Sequence, residues 1–98
     1  MNINKLSKAR RKIDSIDAKI FNLIKKRTKI VKYMLSIKEF KKQIIDHKRI
    51  NEILKKIKSK SIKNKSNKNN IDPKITKRIW INMIYAFIDF EKRNFKKK

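Results

Sequence analysis

Arg27 stands where the chain's own pattern calls for an apolar residue. Leu23 and Ile30 flank it one step away in an apolar seam. A guanidinium in such a place is costly unless something pairs with it. An anionic ligand could do so, as could a carboxylate such as Asp17, or the side chain could reach out to water. Lys38 follows eleven residues later, about three helical turns, so both cations project from one side of a helix. Arg10 lies seventeen residues before Arg27 and falls on a different face. One helix cannot aim all three cations at one small ligand, whereas two antiparallel copies could. Asp46 and Arg49 are one turn apart on a shared face. That spacing suits either a binding pair or a surface pair of little energetic value. Glu91 continues the apolar stripe of Trp80, Ile84 and Phe87, as a functional acid or as an ordinary carboxylate near a helix end. Cations in apolar surroundings suit a small anion, a carboxylate or a phosphate. Other chemistries lack their residues. With Cys 0 there is no thiol nucleophile, disulfide or thiolate metal site. His47 is the sole His and cannot build a metal cluster alone, and with Gly 0 there is no Gly-rich phosphate loop. Neither metal nor cofactor is expected.

The elements that must position these residues are helices. Leu6, Ala9, Ile13, Ile16, Ile20, Leu23, Arg27, Ile30 and Met34 alternate steps of three and four, a seam of about 3.5-residue period. They predict one helix from about residue 5 to about residue 38, roughly 50 Å long. A compact chain of 98 residues has a radius of gyration of only about 13 Å. The helix overshoots any core of its own, and the simplest partner for its seam is a second copy. Lys38 sits near the end of this helix, where a substitution is expected to spare the fold. A break falls at residues 39–43. A second helix is expected from about Ile44 to about Ile62, with Ile50, Ile53, Leu54 and Ile57 as its stripe. Residues 58–70, KSKSIKNKSNKNN, read as a flexible polar loop. Asp72 and Pro73 then form a helix start, with N-cap Asp and Pro at the first helical position. The third helix carries Ile75, Ile79, Trp80, Met83, Ile84, Phe87 and Phe90, and frays in NFKKK. The expected architecture is all-α, three helices (long, short, medium) in one domain over residues 1–98, intertwined as a homodimer.

The net charge is +23, from 31 Lys+Arg against 8 Asp+Glu. Such a field attracts anions of every size. Much of the Lys, Ile and Asn excess follows from AT-rich codons. A basic helical nucleic-acid-binding protein is the rival reading, but it does not explain cations inside apolar seams. Its mark would be DNA binding that collapses with salt. The N-terminus has no apolar stretch of the secretory kind, and no run approaches the roughly 20 apolar residues that span a bilayer. A soluble cytoplasmic protein, with no membrane partner, is expected.

Three segments carry a family resemblance. ARRKIDSIDAKIFNLIKKRTKIVKYMLSIK has a basic residue before K-I-D, an I-D-x-K-I step, K-R at position 27 and a closing I-K. IIDHKRINEILKKI contains a D-x-x-R core, and IDPKITKRIWINMIYAFIDFE closes the series. Together, over about residues 5 to 92, they resemble the all-α chorismate mutases. The resemblance implies an isomerase that converts chorismate to prephenate in aromatic amino acid biosynthesis, the shikimate route to Phe and Tyr. It implies that Arg10 of the partner subunit, with Arg27 and Arg49, binds the two carboxylates of chorismate. Lys38 would hydrogen-bond the ether oxygen of the breaking bond, Asp46 would sit near the ring hydroxyl, and Glu91 would be the second donor to the ether oxygen. Two positions depart from the pattern. Ile50 stands where the family has a Glu that meets the ring hydroxyl, and Phe87 where it has a Ser near a carboxylate. A mutase-like domain kept for dimerisation or regulation is the alternative that these departures suggest.

Overall fold

The computed structural model of the chain describes residues 2–62 and 70–97. Without Pro or Gly to interrupt it, Ile3–Ile37 forms a single 35-residue helix, α1. Asn2 caps it, its Oδ1 accepting the Lys5 N–H at 3.2 Å. The helix stops one residue before Lys38. The next turn is held by the chain's sole Gln, since Gln43 Oε1 accepts the N–H groups of Glu39 and Phe40, each at 2.8 Å. A short 3-10 turn, Lys41–Gln43, follows.

The second helix, α2 (His47–Ser61), begins three residues later than its apolar pattern suggested. Ile44 is instead a buried residue of the connection, 4% exposed. Asp46 is the cap, accepting the Arg49 backbone N–H at 3.0 Å. At the other end α2 continues through Lys58–Ser61, so the expected 58–70 loop starts as helix. Residues 63–69 of that loop lie outside the described residues. The third helix, α3 (Pro73–Asn94), begins as expected, with Asp72 Oδ1 accepting the Lys74 N–H at 2.9 Å and Pro at its start. Among the described residues there is no strand, and no helix is long and apolar enough to cross a membrane.

The chain divides into two compact units, Met1–Met34 and Leu35–Lys98. The first is helix alone. The large apolar residues of its seam are open, with exposures from 40% at Leu6 to 62% at Leu23, while Arg27 on the seam is half-buried and Val31, off the seam, is buried.

In the second unit α2 and α3 pack as an antiparallel pair. Ile44, Ile84 and Ile88 form its buried centre, with Ile50, Ile53, Leu54 and Trp80 packed against them. The α2 stripe is as predicted. On α3 the buried set is Thr76, Ile84, Ile88 and Glu91, and Ile75 and Ile79 are exposed. The inward face is therefore rotated away from the first two apolar positions of the sequence stripe.

A buried hydroxyl pair closes the far end of this unit. Ser61 Oγ lies 2.7 Å from Thr76 Oγ1 and 2.7 Å from the Ile57 carbonyl. Each hydroxyl has one proton. Both short bonds form when Ser61 donates to Ile57 O and Thr76 donates to Ser61. The alternative sends the Thr76 proton to Pro73 O at 3.4 Å and forfeits the Ile57 bond. Ser61→Ala then leaves the Thr76 hydroxyl with that long bond alone, and should lower stability in urea unfolding by about 1–3 kcal/mol. The double variant Ser61→Ala with Thr76→Val leaves no orphan hydroxyl, so its loss should fall short of the sum of the two single losses. Strict additivity would show that the two hydroxyls are not coupled.

Candidate functional site

Glu91 is buried on α3, in line with Ile84 and Ile88. A carboxylate in that position needs a partner, because burial without one costs far more than a hydrogen bond returns. The partner comes from 53 residues earlier, where Lys38 Nζ donates to Glu91 Oε2 at 2.6 Å. The two side chains are 16% and 9% exposed. The reading of Glu91 as an ordinary exposed carboxylate is thereby overturned.

Lys38 reaches this place because α1 ends at Ile37. Its own N–H bonds Leu35 O at 3.3 Å, and Gln43 fixes the backbone just beyond it. Gln43 is a positioning residue that the sequence reading missed, although a lone Gln inside the break at residues 39–43 is a usable signal. The expectation that a substitution at Lys38 spares the fold also needs correction. The side chain points into a nearly closed contact, and its loss strands a buried carboxylate.

Arg49 and Asp46 are differently placed. Asp46 contacts the Arg49 backbone rather than its guanidinium. The Arg49 guanidinium lies 3.8 Å from Glu52 Oε2, and both side chains are more than half exposed, so that pair contributes little. Arg49 is thus open to an anion from solvent. Ile50, at the position where a Glu was expected from the resemblance, is half-buried against the Ile44, Ile84 and Ile88 centre. Phe87 is half-buried on α3. Arg10 and Arg27 belong to the Met1–Met34 unit, Arg10 exposed and Arg27 half-buried.

The described chemistry is therefore cationic and donor-rich: a half-enclosed ammonium held by one carboxylate, and arginines of graded exposure. Among the described residues no cluster of His, Asp and Glu could hold a metal ion. Within the Leu35–Lys98 unit, the Lys38 ammonium and the exposed Arg49 can each donate to an anion.

Comparison with curated proteins and with solved structures gives no match. The model of the family described as chorismate mutase type II matches residues 9–92. That span includes α1 from Ala9, all of α2, and α3 past Glu91. It covers most of the 98 residues, and the chain belongs to the chorismate mutase type II family, whose members are isomerases.

Proposed function

We propose that the protein rearranges chorismate to prephenate in aromatic amino acid biosynthesis, as a cytoplasmic homodimer. The observation that carries this reading is the enclosed Lys38–Glu91 pair inside the span matched by the family. The reaction is a unimolecular Claisen rearrangement. One C–O bond breaks as one C–C bond forms, and neither a nucleophile nor a proton transfer is required. Catalysis then has two parts. Arg27 and Arg49 of one chain and Arg10 of its partner grip the two carboxylates and hold the substrate compact, an orientation effect. Arginine suits this because its fork matches a carboxylate bidentately. Lys38 donates to the ether oxygen as negative charge grows there.

An ammonium has three N–H donors. Lys38 can keep one on Glu91 and turn another toward the ether oxygen. An ionised Glu91 accepts and so aims Lys38; only as a carboxylic acid would it donate to the ether oxygen itself. Asp46 lies near the ring hydroxyl in this reading, and Ile50 and Phe87 supply apolar contacts where the family pattern has polar ones.

The decisive experiment is incubation of purified protein with chorismate, following the loss of its absorbance. Loss no faster than the uncatalysed rate would overturn the assignment. Glu91 gives a finer test. Gln at this position can accept from Lys38 through Oε1 and donate through Nε2, so Glu91→Gln should keep kcat/KM within about threefold of wild type or raise it. Glu91→Ala should lower it by at least about tenfold. If the Gln variant falls as far as the Ala variant, the negative charge itself is what the site needs.

A further inference from the structure

The acids of the Leu35–Lys98 unit gather mostly at one end. Glu39, Asp46, Glu52, Asp89 and Glu91 all lie toward the end where α2 begins and α3 finishes. At the other end, α2 from Ile53 to Ser61 carries four Lys and no acid, and α3 from Pro73 to Ile88 carries Lys74, Lys77 and Arg78 and no acid. The one carboxylate nearby, Asp72, accepts the Lys74 backbone N–H. Cations occur at both ends, with Lys38, Lys41, Lys42, Lys48, Arg49, Lys92 and Arg93 beside the acids, so what sets the other end apart is its lack of carboxylates to neutralise its lysines.

This cationic end is concave. A groove of about 450 Å³ runs between α2 and α3, walled by Lys55 and Lys58 on one side and Lys74 and Lys77 on the other, with Leu54 and Pro73 in its lining. A second hollow continues over Lys74, Lys77 and Arg78. Among the described residues no ion pair engages any of these five cations. Lys77, the groove-lining residue of α3 nearest Glu91 in sequence, is fourteen residues from it, roughly 21 Å along the axis. The groove is therefore separate from the Lys38–Glu91 pair.

We infer that this groove is a second anion site, and that its ligand is a triphosphate group, carried by inorganic polyphosphate or by a nucleoside triphosphate. The Lys ammonium groups are compact point charges that can meet phosphate oxygens from any direction. Lysines on both walls can follow a short chain of phosphates lying between them. The volume is that of a small-molecule site. The groove lining contains no aromatic residue, so it offers no stacking platform of the kind single-stranded nucleic acid uses.

The test is calorimetric titration of the whole protein, near 0.15 M salt so that diffuse attraction is screened. The probes are inorganic tripolyphosphate, ATP, orthophosphate and a thymidine oligonucleotide. Tripolyphosphate should saturate one site per chain, at least about tenfold more tightly than orthophosphate. ATP binding as tightly as tripolyphosphate makes the attached nucleoside irrelevant; ATP binding more weakly makes free polyphosphate the ligand. Lys58 and Lys77 are exposed, so Lys58→Gln with Lys77→Gln should fold normally and weaken tripolyphosphate by at least about tenfold. The control pair Lys29→Gln with Lys32→Gln removes the same charge from exposed positions on α1 and should change binding less than about twofold. Equal losses in the two double variants would overturn the site in favour of a general field. Absence of saturable tripolyphosphate binding would overturn it outright. An oligonucleotide that binds more tightly than tripolyphosphate, through the same two lysines, would make nucleic acid the occupant and overturn the triphosphate assignment.

Discussion

Replacement of Lys38 by Ala is expected to lower kcat/KM for chorismate by at least about 10²-fold, the scale of losing one preorganised donor at a developing oxyanion. The same change should also weaken the fold. Lys38 and Glu91 form an enclosed pair at 2.6 Å, and removing one member of such a pair leaves a buried charge uncompensated, at a cost of about 3–5 kcal/mol. A loss of activity alone would therefore be ambiguous. The paired substitution Lys38→Met with Glu91→Leu resolves it. Two apolar side chains of similar size replace the ion pair without an orphan charge, and such replacements are often neutral or stabilising. The double variant should unfold at a urea concentration close to that of wild type and yet remain at least about 10²-fold less active. If it is stable and retains wild-type kcat/KM, Lys38 takes no part in the reaction, and the pair serves only the packing of α3.

The second large effect is expected between subunits. If Arg10 acts from the partner chain, the Arg10→Ala and Arg27→Ala proteins should each be nearly inactive, because every site in either homodimer lacks one carboxylate clamp. Unfolded together in equal amounts and refolded, they should recover about a quarter of wild-type activity. Random pairing makes half of the dimers mixed, and a mixed dimer has one site with both arginines and one with neither. The motive is the open seam of α1. Leu6, Ile13, Ile16, Ile20, Leu23, Ile30 and Met34 are all at least 40% exposed in the single chain. Their regular spacing suits a facing helix far better than scattered surface residues would. Sedimentation should accordingly give about twice 11.9 kDa. A stable monomer at micromolar concentration would remove the partner role of Arg10. A dimer whose mixed form recovers no activity would show that Arg10 and Arg27 serve the same site of one chain, or that neither serves any.

Much of this protein is legible in its residues alone. Helical periodicity, the absence of Gly, and the Asp72–Pro73 start specify an all-α chain, because each is a local property of backbone and near neighbours. The misplaced polar residues are legible for the same reason. A Glu that continues an apolar stripe, and a basic residue at the end of a long seam, stand out before any packing is known. Other features arise only when α2 and α3 close on each other. Which α3 isoleucines are buried depends on how the helix is rotated against its neighbour, so Ile84 and Ile88 are inside while Ile75 and Ile79 are not. Ser61 and Thr76 belong by sequence to a polar helix end and a helix start. They become a buried pair only because antiparallel packing brings the two ends together. The start of α2 at His47 is set by side chains, Gln43 on the preceding turn and Asp46 as cap, which compete with the helical pattern of Ile44 and Ile45. The union of Lys38 with Glu91 is likewise tertiary. Spacing of three and four residues reveals which side chains share a helix face, but it carries no information about a contact across 53 residues, which exists because burying a carboxylate is too costly without a cation beside it.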